Sequence, residues 1–274
     1  MKTEQLCVDT MCYTAFPLDR ALGAIVEAGI RRVELCASVG YCDHAAPERL
    51  GPGGSSKLLK LLEREGLTAV SLSAHADVTT DAGLMAFRTR LQLAAEMNIP
   101  VIITMPPERS GPQTEQRFYR TILELGDRAA MLGIVLCLET VGLHMRTAHE
   151  SVALLQRLQH PNLRINYDPA AHLYHFGADL PSKGDVAVLG KHLGHVHLND
   201  KATLVKGRWD FRPIGEGIVD WEPILDELDR VGFAGPASIE IGWESTPESI
   251  SLVNDAVRRA CQFVRAAAQT EPRD

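Results

Sequence analysis

Ionisable side chains stand at the ends of several short apolar segments of this chain. Four consecutive segments end in this way, at Glu139, Asp168, His197 and Glu240. Three carboxylates and an imidazole gathered at one buried spot cannot all keep their charges, because desolvation and mutual repulsion force protons onto them. A divalent cation removes that conflict. Oxygen and nitrogen ligands without a thiolate suit Mn²⁺, Mg²⁺, Co²⁺ or Zn²⁺ and argue against a purely structural zinc site.

The segments that must position these side chains recur about every 30 residues and alternate with longer amphipathic stretches. This alternation is typical of repeated βα units around a parallel sheet. Near-continuous apolar runs are expected where a parallel sheet is covered on both faces. We predict eight strands, at residues 5–10, 31–36, 68–74, 99–105, 134–140, 163–168, 195–200 and 237–242.

Eight such units favour a closed (β/α)8 barrel, and the 274 residues agree with the roughly 250 that this fold needs. The alternative is an open, doubly wound nucleotide-binding sheet. That architecture requires a G-x-G-x-x-G motif after an early strand, whereas the first predicted strand is followed by MCYTAFP. We therefore predict one α/β barrel domain over residues 1–268 and a frayed tail over residues 269–274.

The composition excludes several classes of protein. Hydrophobic residues make up 45% and charged residues 23% of the chain, which is typical of a globular protein. The N-terminus lacks the pattern of an export signal, and no apolar stretch is long enough to cross a membrane, so we expect a cytoplasmic protein. A net charge of −7 argues against binding nucleic acid. The six cysteines are scattered and are expected to be reduced and buried.

In a (β/α)8 barrel, functional residues collect at the carboxyl ends of the strands. That rule also selects Glu34 on the second strand and His75 after the third, which we expect to contact the substrate or support the site. Lys201 and Arg212 follow the seventh strand in a loop where they could bind a hydroxyl, carboxylate or phosphate group. Trp243 follows Glu240 and could pack on a sugar ring.

Five motifs make the chain resemble the sugar phosphate isomerase/epimerase superfamily, the xylose-isomerase-like barrels that include ketose 3-epimerases and relatives of inosose dehydratase. The motifs are LCLETVG, INYDPAAH, LGHVHLNDK, PIGEGIVDW and ASIEIGWE. The resemblance implies that Glu139, Asp168, His197 and Glu240 bind one metal ion, for which manganese is our first choice. It also implies that Glu139 and Glu240 form an acid-base pair on opposite faces of the substrate.

His172 is a weaker candidate for a substrate contact. The epimerases place a histidine three residues after the aspartate of the sixth strand, whereas His172 lies four residues after Asp168. Pro169 could re-aim the intervening turn and still bring His172 to the pocket, or the side chain could lie at the surface.

The superfamily also resembles endonucleases that cut DNA at abasic sites, but this chain departs from their pattern. Those enzymes use three metal ions and additional histidines. Where they have a histidine after the fourth strand, this chain reads ITMPP, and where they have Asp-x-His it has Asp210, Phe211 and Arg212. Together with the acidic net charge, these differences argue against cleavage of nucleic acid.

The leading hypothesis is therefore a metal-dependent isomerase or epimerase of a keto sugar or related polyol, acting by proton abstraction next to a carbonyl. A lyase that expels a leaving group from the same intermediate, either a dehydratase or an enzyme that eliminates a keto-glycoside, is the alternative. A third hypothesis is a non-catalytic sugar-binding subunit. The sequence leaves the sugar, its phosphorylation and the oligomeric state open, including a homo-oligomer.

Overall fold

The computed structural model describes residues 3–108, 111–177 and 180–268. Within these ranges, eight parallel strands close into a barrel, which confirms the predicted (β/α)8 fold. The tail predicted over residues 269–274 lies outside the described residues. The barrel strands are β1 (Leu6–Asp9), β2 (Arg32–Cys36), β3 (Thr68–Ser73), β4 (Val101–Thr104), β5 (Val135–Glu139), β6 (Leu163–Tyr167), β7 (Leu193–Leu198) and β10 (Ala237–Ile239).

The helices pack outside the barrel, and a two-stranded hairpin of β8 (Asp200–Lys201) and β9 (Phe211–Arg212) follows β7. Within the described residues, no helix is both long and apolar enough to cross a membrane. The helices are α1 (Leu18–Glu27), α2 (Pro47–Leu50), α3 (Gly54–Glu65), α4 (Asp81–Glu96), α5 (Pro112–Met131), α6 (Ala148–Leu158), α7 (Pro169–Phe176), α8 (Lys183–Leu189), α9 (Trp221–Arg230) and α10 (Ile250–Ala267).

Local sequence explains where the helices stop. Gly66 ends α3 with a positive φ of 65°, which a residue without a Cβ adopts at little cost, and its N–H donates to backbone carbonyls of the last turn. At α7, Pro169 occupies the first helical position, where its missing N–H has no helical partner to lose. The helix therefore starts immediately after Asp168.

Alternation along the strands sorts side chains between two environments. Leu136 and Leu138 of β5 belong to the main apolar core, whereas Cys137, on the other face, packs with Val101 and Ile103 in a small second cluster. Glu139 continues the face of Cys137, because successive strand residues point to opposite sides. All six cysteines are free and buried, as expected from the sequence.

Candidate metal and acid-base site

The imidazole of His197 stands at the centre of a buried cluster of carboxylates. Its Nδ1 lies 3.2 Å from Asp168 Oδ2, 3.3 Å from Glu240 Oε2 and 3.7 Å from Glu139 Oε2. All four residues are buried. The structure thus brings together the four side chains that the sequence analysis selected.

The backbone around each strand end explains this convergence. Glu139 is the last residue of β5, and Glu240 directly follows β10. Asp168 follows β6 and caps α7, where its Oδ1 accepts a hydrogen bond of 2.8 Å from the backbone N–H of Ala171. The cap holds one carboxylate oxygen and leaves Oδ2 directed toward His197.

Glu34 supports this cluster from inside the barrel. His197 Nε2 donates to Glu34 Oε1 at 2.9 Å, and His195 Nε2 lies 2.8 Å from Glu34 Oε2. A carboxylate oxygen only accepts, so the contact with Glu34 places a hydrogen on Nε2. Nδ1 faces Asp168 and Glu240, and it becomes a ligand atom once it carries no proton. Glu34 is fully buried behind His197. Its position is that of a support for the imidazole.

Two asparagines hold the carboxylates in place and were missed from sequence. Asn166 Nδ2 donates to Glu139 Oε2 at 3.3 Å. Asn199 Nδ2 donates both to Asp168 Oδ2 at 3.2 Å and to Glu240 Oε2 at 2.9 Å. The amide of Asn166 therefore holds one carboxylate and that of Asn199 holds two, and neither adds charge to the site.

Asp9, at the end of β1, is a further acidic group that the sequence analysis missed. Its ligand atom and those of His197 and Glu240 all lie within 4.8 Å of one another. Asp9 Oδ1 accepts from the N–H of Met11 at 2.8 Å, while the buried Oδ2 has no hydrogen-bond partner among the described residues. Burial, together with the charges of Glu34 and Glu240, raises the pKa of Asp9 well above its usual value.

The environments of Glu139 and Glu240 move their pKa values in opposite directions. Burial alone would raise the pKa of Glu139, but the neighbouring His75 and His197 outweigh it and lower the pKa to about 2. Burial also raises the pKa of Glu240, and the charges of Asp168 and Glu139 raise it further against the opposing effect of His197. Divergent environments of this kind are typical of an acid-base pair.

The donor atoms of this cluster fit a divalent cation. Glu139, Asp168 and His197 offer ligand atoms that lie within 4.8 Å of one another, and Asp9 and Glu240 form a second such group with His197. A cation among them would offset the mutual repulsion that raises the pKa of Asp9 and Glu240. Carboxylate oxygens with one imidazole nitrogen are ligands for Mn²⁺, Mg²⁺, Co²⁺ or Zn²⁺.

A cavity of about 490 Å³ opens above the cluster at the carboxyl ends of the strands. His75 lines it as expected, with Nε2 3.1 Å from Glu139 Oε2. The other lining residues are Met11, Ser38, Val39, Tyr41, Ala76, Asp77, Met105, Glu108, Glu139, Asp168, Ala171, Tyr174, His175, Asn199, Trp209, Phe211, Glu240 and Gly242.

The rotation of α7 about its axis determines which of its side chains line the cavity. Ala171, Tyr174 and His175 line the wall, as residues spaced by three and four positions on one helix face do. His172 lies about 100° around the helix from Ala171, and its ring is 5.1 Å from that of Phe176. The structure therefore places His175, rather than the expected His172, beside the site.

Trp243 lies next to the cavity and not in its wall. Its Nε1 donates to the backbone carbonyl of Cys12 at 2.7 Å, which fixes the indole in the loop after β10. It lines a neighbouring groove of about 320 Å³ that shares Met11, Tyr41 and Trp209 with the main cavity.

Lys201 and Arg212, which we expected to contact substrate, belong to the hairpin. The fully buried ammonium group of Lys201 pairs with Asp210 and lies 3.3 Å from the carbonyls of Thr203 and Val205. Arg212 is exposed, and its Nη1 donates to the carbonyl of Phe211 at 2.8 Å. Sequence spacing alone did not predict that Lys201 would form an ion pair with Asp210 inside the loop.

Replacing Lys201 with methionine is expected to lower the free energy of unfolding by about 3 kcal/mol, because the buried Asp210 would lose its counter-charge. Thermal and urea unfolding would measure the loss. Arg208→Met is the matched control, since the exposed Arg208 lies 3.6 Å from the same carboxylate and should change stability by less than about 0.5 kcal/mol. Equal stabilities of the two variants would contradict the role assigned to Lys201.

These features define a class of protein: a closed (β/α)8 barrel with buried carboxylates around an imidazole at the carboxyl ends of its strands. The chain belongs to the xylose isomerase-like TIM barrel family, whose profile matches residues 22–267.

Individual relatives are distant in sequence. The chain is 24% identical over 250 residues to "L-ribulose-5-phosphate 3-epimerase UlaE" of Shigella flexneri, covering 89% of this chain and 75% of the relative. A crystal structure of D-psicose 3-epimerase superposes with a TM-score of 0.74 at 19% identity, covering 97% of this chain and 99% of that one. The probable 3-DHS dehydratase AsbF of Bacillus anthracis also superposes with a TM-score of 0.74, at 19% identity, covering 95% and 98%.

Proposed function

We propose that this chain is a divalent-metal-dependent epimerase or isomerase of a keto sugar or related polyol. The observation that carries the proposal is the position of Glu139 and Glu240. Both line the cavity, and both place a carboxylate oxygen within 4 Å of the same nitrogen, His197 Nδ1. Similarity to an L-ribulose-5-phosphate 3-epimerase supports this reaction class.

In this proposal, Glu139, Asp168, His197 and Glu240 hold the metal, with manganese the first choice. When bound, a divalent ion polarises the substrate carbonyl and stabilises the negative charge that develops on its oxygen. Glu139, kept ionised by His75 and His197, removes the proton from the carbon next to the carbonyl, and the electrons of that bond move toward the carbonyl oxygen. Glu240 then delivers a proton to the same carbon from the opposite face, which inverts its configuration.

Asp210 offers structural support for placing the chain outside the nucleic-acid-cleaving branch of the superfamily. Asp210 stands where the endonuclease pattern has the aspartate of Asp-x-His, and it is paired with the buried Lys201. This pairing occupies the carboxylate within the hairpin. We therefore propose a small-molecule substrate and no nucleic-acid partner.

The experiment that tests the reaction is exchange with D2O, using the metal-loaded protein and a panel of ketoses. Deuterium at a carbon next to the carbonyl, with recovery of the epimer or isomer, is the expected result. Loss of water or of a glycosidic substituent would assign the lyase instead. Absence of both exchange and elimination over the whole panel would contradict the proposed class.

Metal affinity is expected to fall as the pH is lowered. Burial alone would lower the pKa of His197, but the carboxylates of Glu240 and Glu34 outweigh it and raise the pKa well above its usual value. Binding a metal at Nδ1 must therefore displace a proton, so the affinity should drop about tenfold per pH unit below that pKa.

Calorimetric titration with Mn²⁺ in two buffers of different ionisation enthalpy would count the protons released. The exposed His149 provides the control, because His149→Ala should release the same number of protons as the unchanged protein. An affinity that does not vary with pH would rule out His197 as the ligand.

A further inference from the structure

Four aromatic side chains form one side of the cavity, and we call them the aromatic wall: Tyr41, Tyr174, Trp209 and Phe211. Trp209 contacts the other three, with ring centroids 4.8 Å from Phe211, 5.4 Å from Tyr174 and 5.6 Å from Tyr41. The four residues come from the loop after β2, from α7 and from the β8–β9 hairpin. Segments distant in sequence thus build a single apolar surface.

The hairpin that carries Trp209 and Phe211 is held firmly. Lys201 pairs with the buried Asp210, next to Trp209 in the chain. The carboxylate of Asp200 accepts hydrogen bonds from the backbone N–H groups of Gly217 at 3.1 Å and Val219 at 3.0 Å. These contacts hold the hairpin that carries Trp209 and Phe211 over the cavity.

The apolar surface of the aromatic wall continues from the cavity into a neighbouring groove. The volume of the cavity, about 490 Å³, lies within the range of ~300–1,000 Å³ that is typical of pockets for small molecules. At its mouth, Val39 is 51% and Tyr41 is 44% exposed. The neighbouring groove continues the surface from Tyr41 and Trp209 to Trp243. Apolar surface left open to water around a polar site marks a place for an apolar ligand group.

The charges of the cavity oppose a phosphate group. Among the described residues that line it there are five carboxylates and no lysine or arginine, and its only basic groups are His75 and His175. His75 contacts Glu139 at 3.1 Å, and His175 lies 3.5 Å from Glu108. Lys201 and Arg212, which we expected to bind a hydroxyl, carboxylate or phosphate group, do not line the cavity: Lys201 pairs with Asp210, and Arg212 is exposed. Apart from the proposed metal ligands, the lining carboxylates are Asp77 and Glu108, and no lysine or arginine among the described lining residues would pair with a phosphate dianion.

We propose that the substrate is an unphosphorylated keto sugar that carries an aromatic or other apolar ring substituent. The sugar lies near Glu139 and Glu240, and the ring substituent packs on Trp209 in the aromatic wall. The identity of the sugar part rests on the proposed function. The preference for an apolar substituent rests on the wall itself.

Calorimetric titration with phenyl and methyl β-D-glucosides tests the wall separately from turnover, because neither probe has the carbonyl needed for proton abstraction. The phenyl glucoside should bind at least about tenfold more tightly than the methyl glucoside. Trp209→Ala should reduce that preference to about twofold, and Trp209→Phe should retain most of it. Tyr119→Ala is the control, since Tyr119 lies on the outer helix α5 beside Arg157 and should leave the preference unchanged.

Equal binding of the two glucosides, or a phenyl glucoside that does not bind, would overturn the proposal. So would tighter binding of fructose 6-phosphate than of fructose, because it would reveal a phosphate site. A phenyl preference that depends on Trp209, in a protein that fails the D2O experiment, would support the wall while removing the proposed reaction.

Discussion

Replacing Glu240 with glutamine will lower the rate of epimer interconversion by about 10²- to 10⁴-fold, the usual contribution of a positioned acid or base. Glutamine keeps the shape of the side chain but cannot deliver the proton. Glu139 would remain ionised on the other face and could still exchange one substrate proton with solvent. The variant should therefore retain exchange without inversion, which NMR in D2O would distinguish from loss of all activity.

The fold should tolerate this change. The charges of Asp168 and Glu139 help raise the pKa of Glu240, so a neutral side chain relieves repulsion. Asn199 Nδ2, now 2.9 Å from Glu240 Oε2, can donate to the glutamine oxygen instead. Glu244→Gln is the matched control, because Glu244 is exposed four residues further on. Interconversion at the rate of the unchanged protein, with metal bound, would eliminate Glu240 as the acid.

Glu139, Asp168, His197 and Glu240 could be predicted from one structural rule, which requires only the approximate position of each strand end. Parallel strands in a barrel bring their carboxyl ends to one rim. The eighth strand was predicted to run to Gly242 and ends at Ile239, yet Glu240 still reaches the site. Asp9 and Asn199 obey the same rule, but the amide of Asn199 is not ionisable, and Asp9 lies one residue before the predicted end of the first strand.

The surrounding residues were harder to predict because their positions depend on longer-range geometry. Whether His172 or His175 faces the cavity depends on the residue at which α7 begins and on its rotation, and spacing from Asp168 does not define either. Lys201 looked available because its partner, Asp210, is brought to it only when the β8–β9 hairpin forms. Charge in a loop sequence does not reveal whether the charge is already paired.

The orientation of His195, His197 and Asn166 inside the barrel follows from the alternation of side chains along β6 and β7. His195 and His197 point to the same side of β7, and Asn166 on β6 pairs in register with His195. Of the two histidines, only His197 has a nitrogen beside the three carboxylates, while His195 holds Glu34. The resemblance to the family selected His197, the second histidine of His-Val-His, as the ligand. The contacts of the two imidazoles explain why His197 and His195 have different roles.

If the proposed divalent ion stabilises the negative charge on the carbonyl oxygen, its removal is expected to reduce proton exchange by at least about 10³-fold. Dialysis against a chelator followed by the D2O assay would measure this loss, and added Mn²⁺ should restore the activity. The ion should also stabilise the fold, because the ligands proposed for it come from β5, β7 and the residues after β6 and β10. At 100 times the dissociation constant, binding contributes about 2.7 kcal/mol, equivalent to a rise of about 5–10 °C in the unfolding temperature.

Two histidine variants would separate a specific site from general ion binding. His197→Ala removes the imidazole at the centre of the carboxylates, so Mn²⁺ should raise its unfolding temperature by much less than that of the unchanged protein. His149→Ala, on the exposed side of α6, should keep the full rise. Activity of the chelated protein while free of metal, or an equal response of both variants to Mn²⁺, would contradict the proposed metal site around His197.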